Sequence, residues 1–185
     1  KVYDQFMAMF KAKAEAMVIG DPMAEGTDFG PLSSQTHYNK VKSYVSTVEA
    51  EGGRILTGGL GEGLFVKPTI IVDLPLTASQ YCQEIFGPVV VVNRFDSEAE
   101  VVDLANDTPY GLNAMVFTEN LSRAHRAAAN LKAGTVWVNC FFIRDLRAPF
   151  GGVGLSGIGR EGGNFSREFF TEPKAVVMQI NRQPQ

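Results

Sequence analysis

Apolar positions in the opening stretch recur at helical spacing: Phe6, Met9 and Phe10 fall on one side, with Lys and Glu on the others. That pattern predicts a helix over residues 2–17. "VIGDPMAEGTDFGPL" breaks the period with Gly, Pro and Asp and predicts a loop. Ser33 or Ser34 then caps a second helix through "QTHYNKVKSYVSTVEAE", closed by Gly52 and Gly53. "RILTGG" predicts a short strand and turn. "LFVKPTIIVDL" predicts one extended segment, in which Pro68 argues for an edge or a strand start. "PVVVVNRF" is an unbroken apolar run, the pattern of a strand covered on both faces. "SEAEVVDLANDT" opens on a serine cap and continues as helix. "LNAMVFT" is strand, "NLSRAHRAAANLKA" is helix ending at Gly134, and "TVWVNC" is strand. Strand, helix, strand, helix, strand with short connections predicts a parallel α/β sheet with right-handed crossovers.

After Cys140 the periodicity stops. "FFIRDLRAPFGGVGLSGIGREGGNF" contains seven glycines and predicts a long ordered loop. Gly152, Gly154 and Gly157 spell G-x-G-x-x-G. A dinucleotide fingerprint needs a strand before those glycines and a helix after them. Charged, turn-like residues precede them here, and no amphipathic helix is expected to follow. The glycines are better explained by positive φ and close backbone approach. "REFFTEPKAVVMQI" predicts a final strand with no following helix.

With 185 residues, of which 45% are hydrophobic and 20% charged, the composition is that of a globular protein with one substantial core. The formal net charge is −3 and the basic residues are scattered, which argues against a nucleic-acid partner. No apolar run is long enough to span a bilayer, and no signal peptide opens the chain. The first residue is Lys and the chain starts directly in amphipathic helix, so a piece of a longer polypeptide is expected. Two cysteines, Cys82 and Cys140, make no disulfide framework and point to a reducing, cytoplasmic compartment. Both are assigned structural roles. His37 and His125 lack partners at metal-ligand spacing, so no metal is expected, and the Ser156 region lacks the strand of a nucleophile elbow. "QEIFGPV" places Glu84 and Phe86 at the mouth of a predicted strand. A carboxylate there can accept hydrogen bonds from vicinal hydroxyls, as on a ribose, or can be an exposed Glu beside a turn.

"QEIFGPVVVV", "NDTPYGLNAMVFT", "AGTVWVNC" and "APFGGVGLSGIGREGG", in that order, resemble the C-terminal half of the aldehyde dehydrogenase superfamily. "VIGDPMAEGTDFGPLSS" resembles its linking segment. The resemblance implies an α/β fold: a partial parallel-sheet catalytic domain over residues 1–170, then an oligomerisation strand and tail over 171–185. It implies NAD or NADP as cofactor and a small-molecule aldehyde as substrate. The nucleophilic Cys, the general-base Glu and the cofactor domain of that family match nothing here, so no catalytic residue is assigned to this chain. A stand-alone binding or assembly domain of the same fold is the alternative.

Residue by residue, the resemblance places Glu84 on the nicotinamide ribose, with Phe86 as the aromatic beside it. Lys40 and His37 fall where the family contacts the other ribose, although that family position is often Gln rather than His. Phe150 matches an aromatic of the aldehyde pocket, and Asn139 belongs with the glycines from Gly151 to the tunnel wall. "FFIRDLRAPFGG" resembles the subgroup acting on 2-hydroxymuconic, 2-aminomuconic and 5-carboxymethyl-2-hydroxymuconic semialdehydes. Such substrates carry carboxylates, which a guanidinium fork recognises. Arg144 is the first candidate for that contact and Arg147 the second; pairing of either with Asp145 or another acid is the alternative. "TEPKAVVMQI" matches the family's oligomerisation strand, which implies a homodimer or homotetramer.

Overall fold

The computed structural model describes residues 2–180, in two compact units, Lys1–Thr108 and Pro109–Gln185. The first unit runs α1 (Tyr3–Ala16), α2 (Gln35–Thr47), β1 (Arg54–Leu60), β2 (Val66–Val72), α3 (Ser79–Cys82), β3 (Val89–Val92) and α4 (Glu98–Asn106). Helix starts follow local chemistry. The Ser34 hydroxyl accepts from the His37 amide at the head of α2, and Ser97 and Glu100 form a reciprocal capping box at the head of α4.

β1, β2 and β3 form one sheet in that order, with β1 antiparallel and β3 parallel to β2. Met7 and Ala14 of α1 pack on Ile70 and Val72, while Val41 and Val45 of α2 pack with Val66 and Ile85. Ile71 meets Val48, Leu74 and Ala78. β2 is therefore covered on both faces.

Pro68 lies in this middle strand, which corrects the expectation of an edge or a strand start. The β1–β2 register shifts between Ile55 and Thr57 and again between Thr57 and Gly59. Across that irregular stretch the faces exchange, so Val66 and Leu60 lie on the same side as Ile71 and Ile55. The N–H that Pro68 lacks falls where the ladder is already interrupted. Gly58, expected in a turn, sits inside the strand at φ +94°, and a Cβ there would meet the Pro68 carbonyl oxygen at 2.2 Å. β3 is the edge of its sheet, yet it is covered on both faces as expected: Val92 packs with the α1 cluster, Val89 and Val91 with the α2-side clusters, and Val90 is 39% exposed.

The second unit contains β4 (Asn113–Val116), α5 (Leu121–Asn130) and β5 (Thr135–Val138), then a 3₁₀ turn over Gly154–Ser156 and α6 (Gly163–Phe170). β4 and β5 pair in parallel, from Asn113↔Thr135 to Val116↔Val138. α5 is capped by Asn120 and buries Ala124 and Ala127. The expected alternation of strands and helices is present, but its strands divide between two sheets.

The glycine-rich loop is ordered by close packing. Gly134, just before β5, lies so near the loop that a Cβ there would stand 1.6 Å from the Gly151 carbonyl oxygen. The Val153 amide donates to Gly111 and the Leu155 amide to Pro109. No strand leads into Gly152, as expected. The expectation that no helix follows is corrected by α6, which also takes the first residues assigned to a final strand. Residues 171–180 carry no regular structure and form no strand pairing with the described residues, and residues 181–185 lie outside the described part. No helix among the described residues is long and apolar enough to cross a membrane.

Candidate functional site

Glu84, Phe86, His37 and Lys40 all belong to the first unit. The segment from α3 to β3 is fastened to α2 at both ends. Near its start, the buried Gln80 donates from Nε2 to the Tyr44 carbonyl and the Thr47 hydroxyl, each at 3.0 Å. At its end, His37 Nε2 lies 2.5 Å from the Phe86 carbonyl oxygen, with the two rings 6.1 Å apart. Between these ties Ile85 is buried in the α2 cluster, so its neighbours Glu84 and Phe86 are left exposed. Phe86 is 71% exposed, and its φ of +60° is left-handed, a conformation that surrounding contacts must hold in a non-glycine residue.

Lys40 stands one residue short of a helical turn beyond His37 and is exposed. Among the described residues, neither the Glu84 carboxylate nor the Lys40 ammonium meets a partner. This unit thus offers an unclaimed carboxylate beside an exposed aromatic, and an unclaimed cation on the helix that anchors them. The donor set suits a polyhydroxylated ligand carrying a flat ring. A cavity of about 730 Å³ in this unit lies elsewhere, among Phe10, Met17, Phe29, Pro88 and Val90, and none of the four candidates lines it.

Phe150, Arg144, Arg147 and Asn139 belong to the second unit. Phe150 forms a two-bond antiparallel bridge with Glu161, each amide 2.8 Å from the opposite carbonyl. That bridge brings the Glu161 carboxylate to Arg144, whose Nη2 lies 3.0 Å away. The Arg144 guanidinium also stacks over the Phe150 ring at 4.5 Å, a cation–π contact. Arg144 and Phe150 are therefore together, and one guanidinium nitrogen is committed to Glu161. Arg147 instead grips Asp145, Nε to Oδ1 at 2.9 Å and Nη2 to Oδ2 at 2.6 Å. These hydrogen bonds hold the Asp145 carboxyl below, and the Arg147 guanidinium above, their usual ranges. Both arginines thus have an acid partner, the alternative left open by the sequence.

The Asn139 carboxamide is occupied by one backbone unit. Its Oδ1 accepts from the Thr118 amide at 2.8 Å and its Nδ2 donates to the Thr118 carbonyl at 2.9 Å. Asn139, at φ +53°, thereby joins the chain beyond β4 to the chain beyond β5. A cavity of about 390 Å³ opens between Phe150, Glu161, Ser156 and Phe169.

Sequence reasoning missed Gln80 and Glu161. A buried glutamine in a four-residue helix has no local signature, and Glu161 reaches Arg144 only through the Phe150 bridge. Cys82 and Cys140 are free and half-buried, and His125 is on the exposed face of α5. No cluster of metal-ligating side chains occurs among the described residues.

A family model described as "Aldehyde dehydrogenase family" matches residues 1–176. A 2-hydroxymuconic semialdehyde dehydrogenase from Pseudomonas sp. (strain CF600) is 48% identical over 187 residues, 97% of this chain and 38% of that protein. A betaine aldehyde dehydrogenase from Cereibacter sphaeroides is 42% identical, across 96% of this chain and 37% of its own length. Among solved structures, the NAD+ complex of an aldehyde dehydrogenase from Bacillus cereus superposes with a TM-score of 0.90 at 39% identity. It matches 97% of this chain and 37% of that one. The chain spans about 38% of the length of the first of these relatives.

Proposed function

This chain belongs to the aldehyde dehydrogenase family, and from that premise we propose that it serves as part of an NAD(P)-dependent enzyme oxidising a carboxylated semialdehyde to its acid. The observation that carries the substrate class is the Arg144 guanidinium, stacked on Phe150 with one nitrogen on Glu161. Its remaining N–H groups can take a carboxylate with charge-assisted hydrogen bonds. The Phe150 ring gives the adjoining carbon chain an apolar wall. Arg147, bound to Asp145 and 88% exposed, is the weaker candidate.

On the cofactor side, Glu84 accepts hydrogen bonds from ribose hydroxyls, Phe86 offers its exposed face to a flat ring, and Lys40 supplies a cation. A bound dinucleotide would supply the hydride acceptor. Asn139 keeps the segment after β5 in place through Thr118. We assign the nucleophile and the general base to no residue of this chain, and propose that polypeptide beyond it supplies them. The 2-hydroxymuconic semialdehyde dehydrogenase at 48% identity supports the substrate class.

The test is Arg144→Ala in the full gene product. KM for a dicarboxylated semialdehyde should rise about tenfold or more, the loss of one charged hydrogen-bonded contact. KM for an uncharged aldehyde should stay put, and betaine aldehyde, a cation, should bind no worse. Equal losses on all three substrates would refute the assignment.

A further inference from the structure

His37 has both ring nitrogens engaged within its own unit. Nδ1 lies 3.2 Å from the Ser33 hydroxyl oxygen and Nε2 lies 2.5 Å from the Phe86 carbonyl oxygen. A carbonyl only accepts, so Nε2 carries the proton and donates to it. Nδ1 is paired with the Ser33 hydroxyl, which can either donate to it or accept from it. The ring has no nitrogen left for a ligand.

The backbone it grips is special. Phe86 holds φ +60° without being glycine, so its conformation has to be imposed from outside. Gly87, the next residue, is pressed against the same helix: a Cβ there would stand 2.8 Å from Cγ2 of Val41. Val41 lies one helical turn beyond His37. The turn is thus seated on α2 at two successive positions, one polar and one steric, while the Val89 amide closes it on the Gly87 carbonyl at 2.7 Å.

We infer that His37 is a positioning residue, a strut from α2 that fixes the left-handed Phe86 turn and so holds Glu84 and Phe86 for the cofactor without touching it. This rests on the assignment of those two residues to the dinucleotide. It differs from the direct ribose contact that the resemblance implies for this position. His37→Leu removes the donor, whereas His37→Gln keeps an Nε2 donor at similar reach.

Two readouts separate the possibilities in the full gene product: hydrogen exchange of the 79–89 segment without cofactor, and KM for the dinucleotide. His37→Leu should speed exchange of the segment about tenfold, the loss of one hydrogen bond holding it closed, and raise the dinucleotide KM. His37→Gln should leave both near wild type. Unchanged exchange in His37→Leu overturns the strut, whatever happens to KM. A His37→Gln variant with native exchange and a KM as poor as that of His37→Leu also overturns it, because contact with the ligand would then be direct. Faster exchange in His37→Leu with an unchanged dinucleotide KM overturns the assignment of Glu84 and Phe86 to the cofactor and leaves the strut standing.

Discussion

Arg147 and Asp145 are two residues apart, and their contact is the most local of the candidate site. The Asp145 carboxyl is held low first by the Arg147 side chain and then by the Arg147 amide. A carboxyl depressed in the folded state adds stability above its unfolded pKa and loses it as pH falls through the folded value. Both side chains are exposed to solvent, which screens the pair, and little stability rides on it. The expected outcome is an Asp145 titration midpoint below the ordinary carboxylate range by NMR, rising toward that range in Arg147→Ala, in which the amide at 147 still donates. A midpoint indifferent to Arg147 would show that the pair is not formed in solution. Such a pair was legible because its members are neighbours in sequence. The Arg144–Glu161 pair was not, because its members are 17 positions apart and meet only through a backbone bridge. The aromatic and acidic residues of the proposed cofactor site could be named from the family likeness, whereas the ring nitrogens of His37 could be placed only by the fold.

Elements set by short-range chemistry were the most readable. Ser34, Ser97 and Asn120 each satisfy an amide that the helix cannot, and each stands where the pattern put a helix start. Ser97→Ala should cost about 1 kcal/mol, roughly 2–4 °C in Tm. Thermal unfolding checks this, and an unchanged Tm would show that the cap adds nothing. The middle strand was misjudged for a physical reason. Pro68 is admissible inside a sheet only because β1 bulges opposite it, and a bulge is a property of two strands together. Gly58→Ala should therefore destabilise by about 2 kcal/mol or more, because its Cβ would strike the Pro68 carbonyl at a left-handed φ. A denaturation midpoint at wild type would argue against the bulge. α6 is hidden in the sequence because it is short, starts among glycines and runs into the apolar stretch that predicts a strand, although Phe165, Phe169 and Phe170 stand at helical spacing.

For the molecule as a whole, the alternation of strands and helices revealed the α/β class, and the family match agrees with it. How the strands distribute between sheets depends on long-range pairing, to which alternation is blind. In the second unit the loop glycines show the positive φ and close backbone approach that their pattern predicts. We propose that residues 171–180 add to the sheet of a neighbouring subunit, as a largely apolar segment without a strand partner among the described residues invites. Light scattering of the full gene product should then report a dimer or tetramer, and deleting this segment should yield monomers. A strictly monomeric parent would remove the proposal.

The same ten residues have a practical consequence. Val176, Val177, Met178 and Ile180 are each at least two-thirds bare, and the window 175–180 holds no charge, proline or glycine. Such hexamers are the material of steric zippers when nothing shields them. A preparation of these 185 residues by themselves should shed protein as thioflavin-positive precipitate on standing, and Val177→Lys should keep it in solution by putting a gatekeeping charge where chains would otherwise stack.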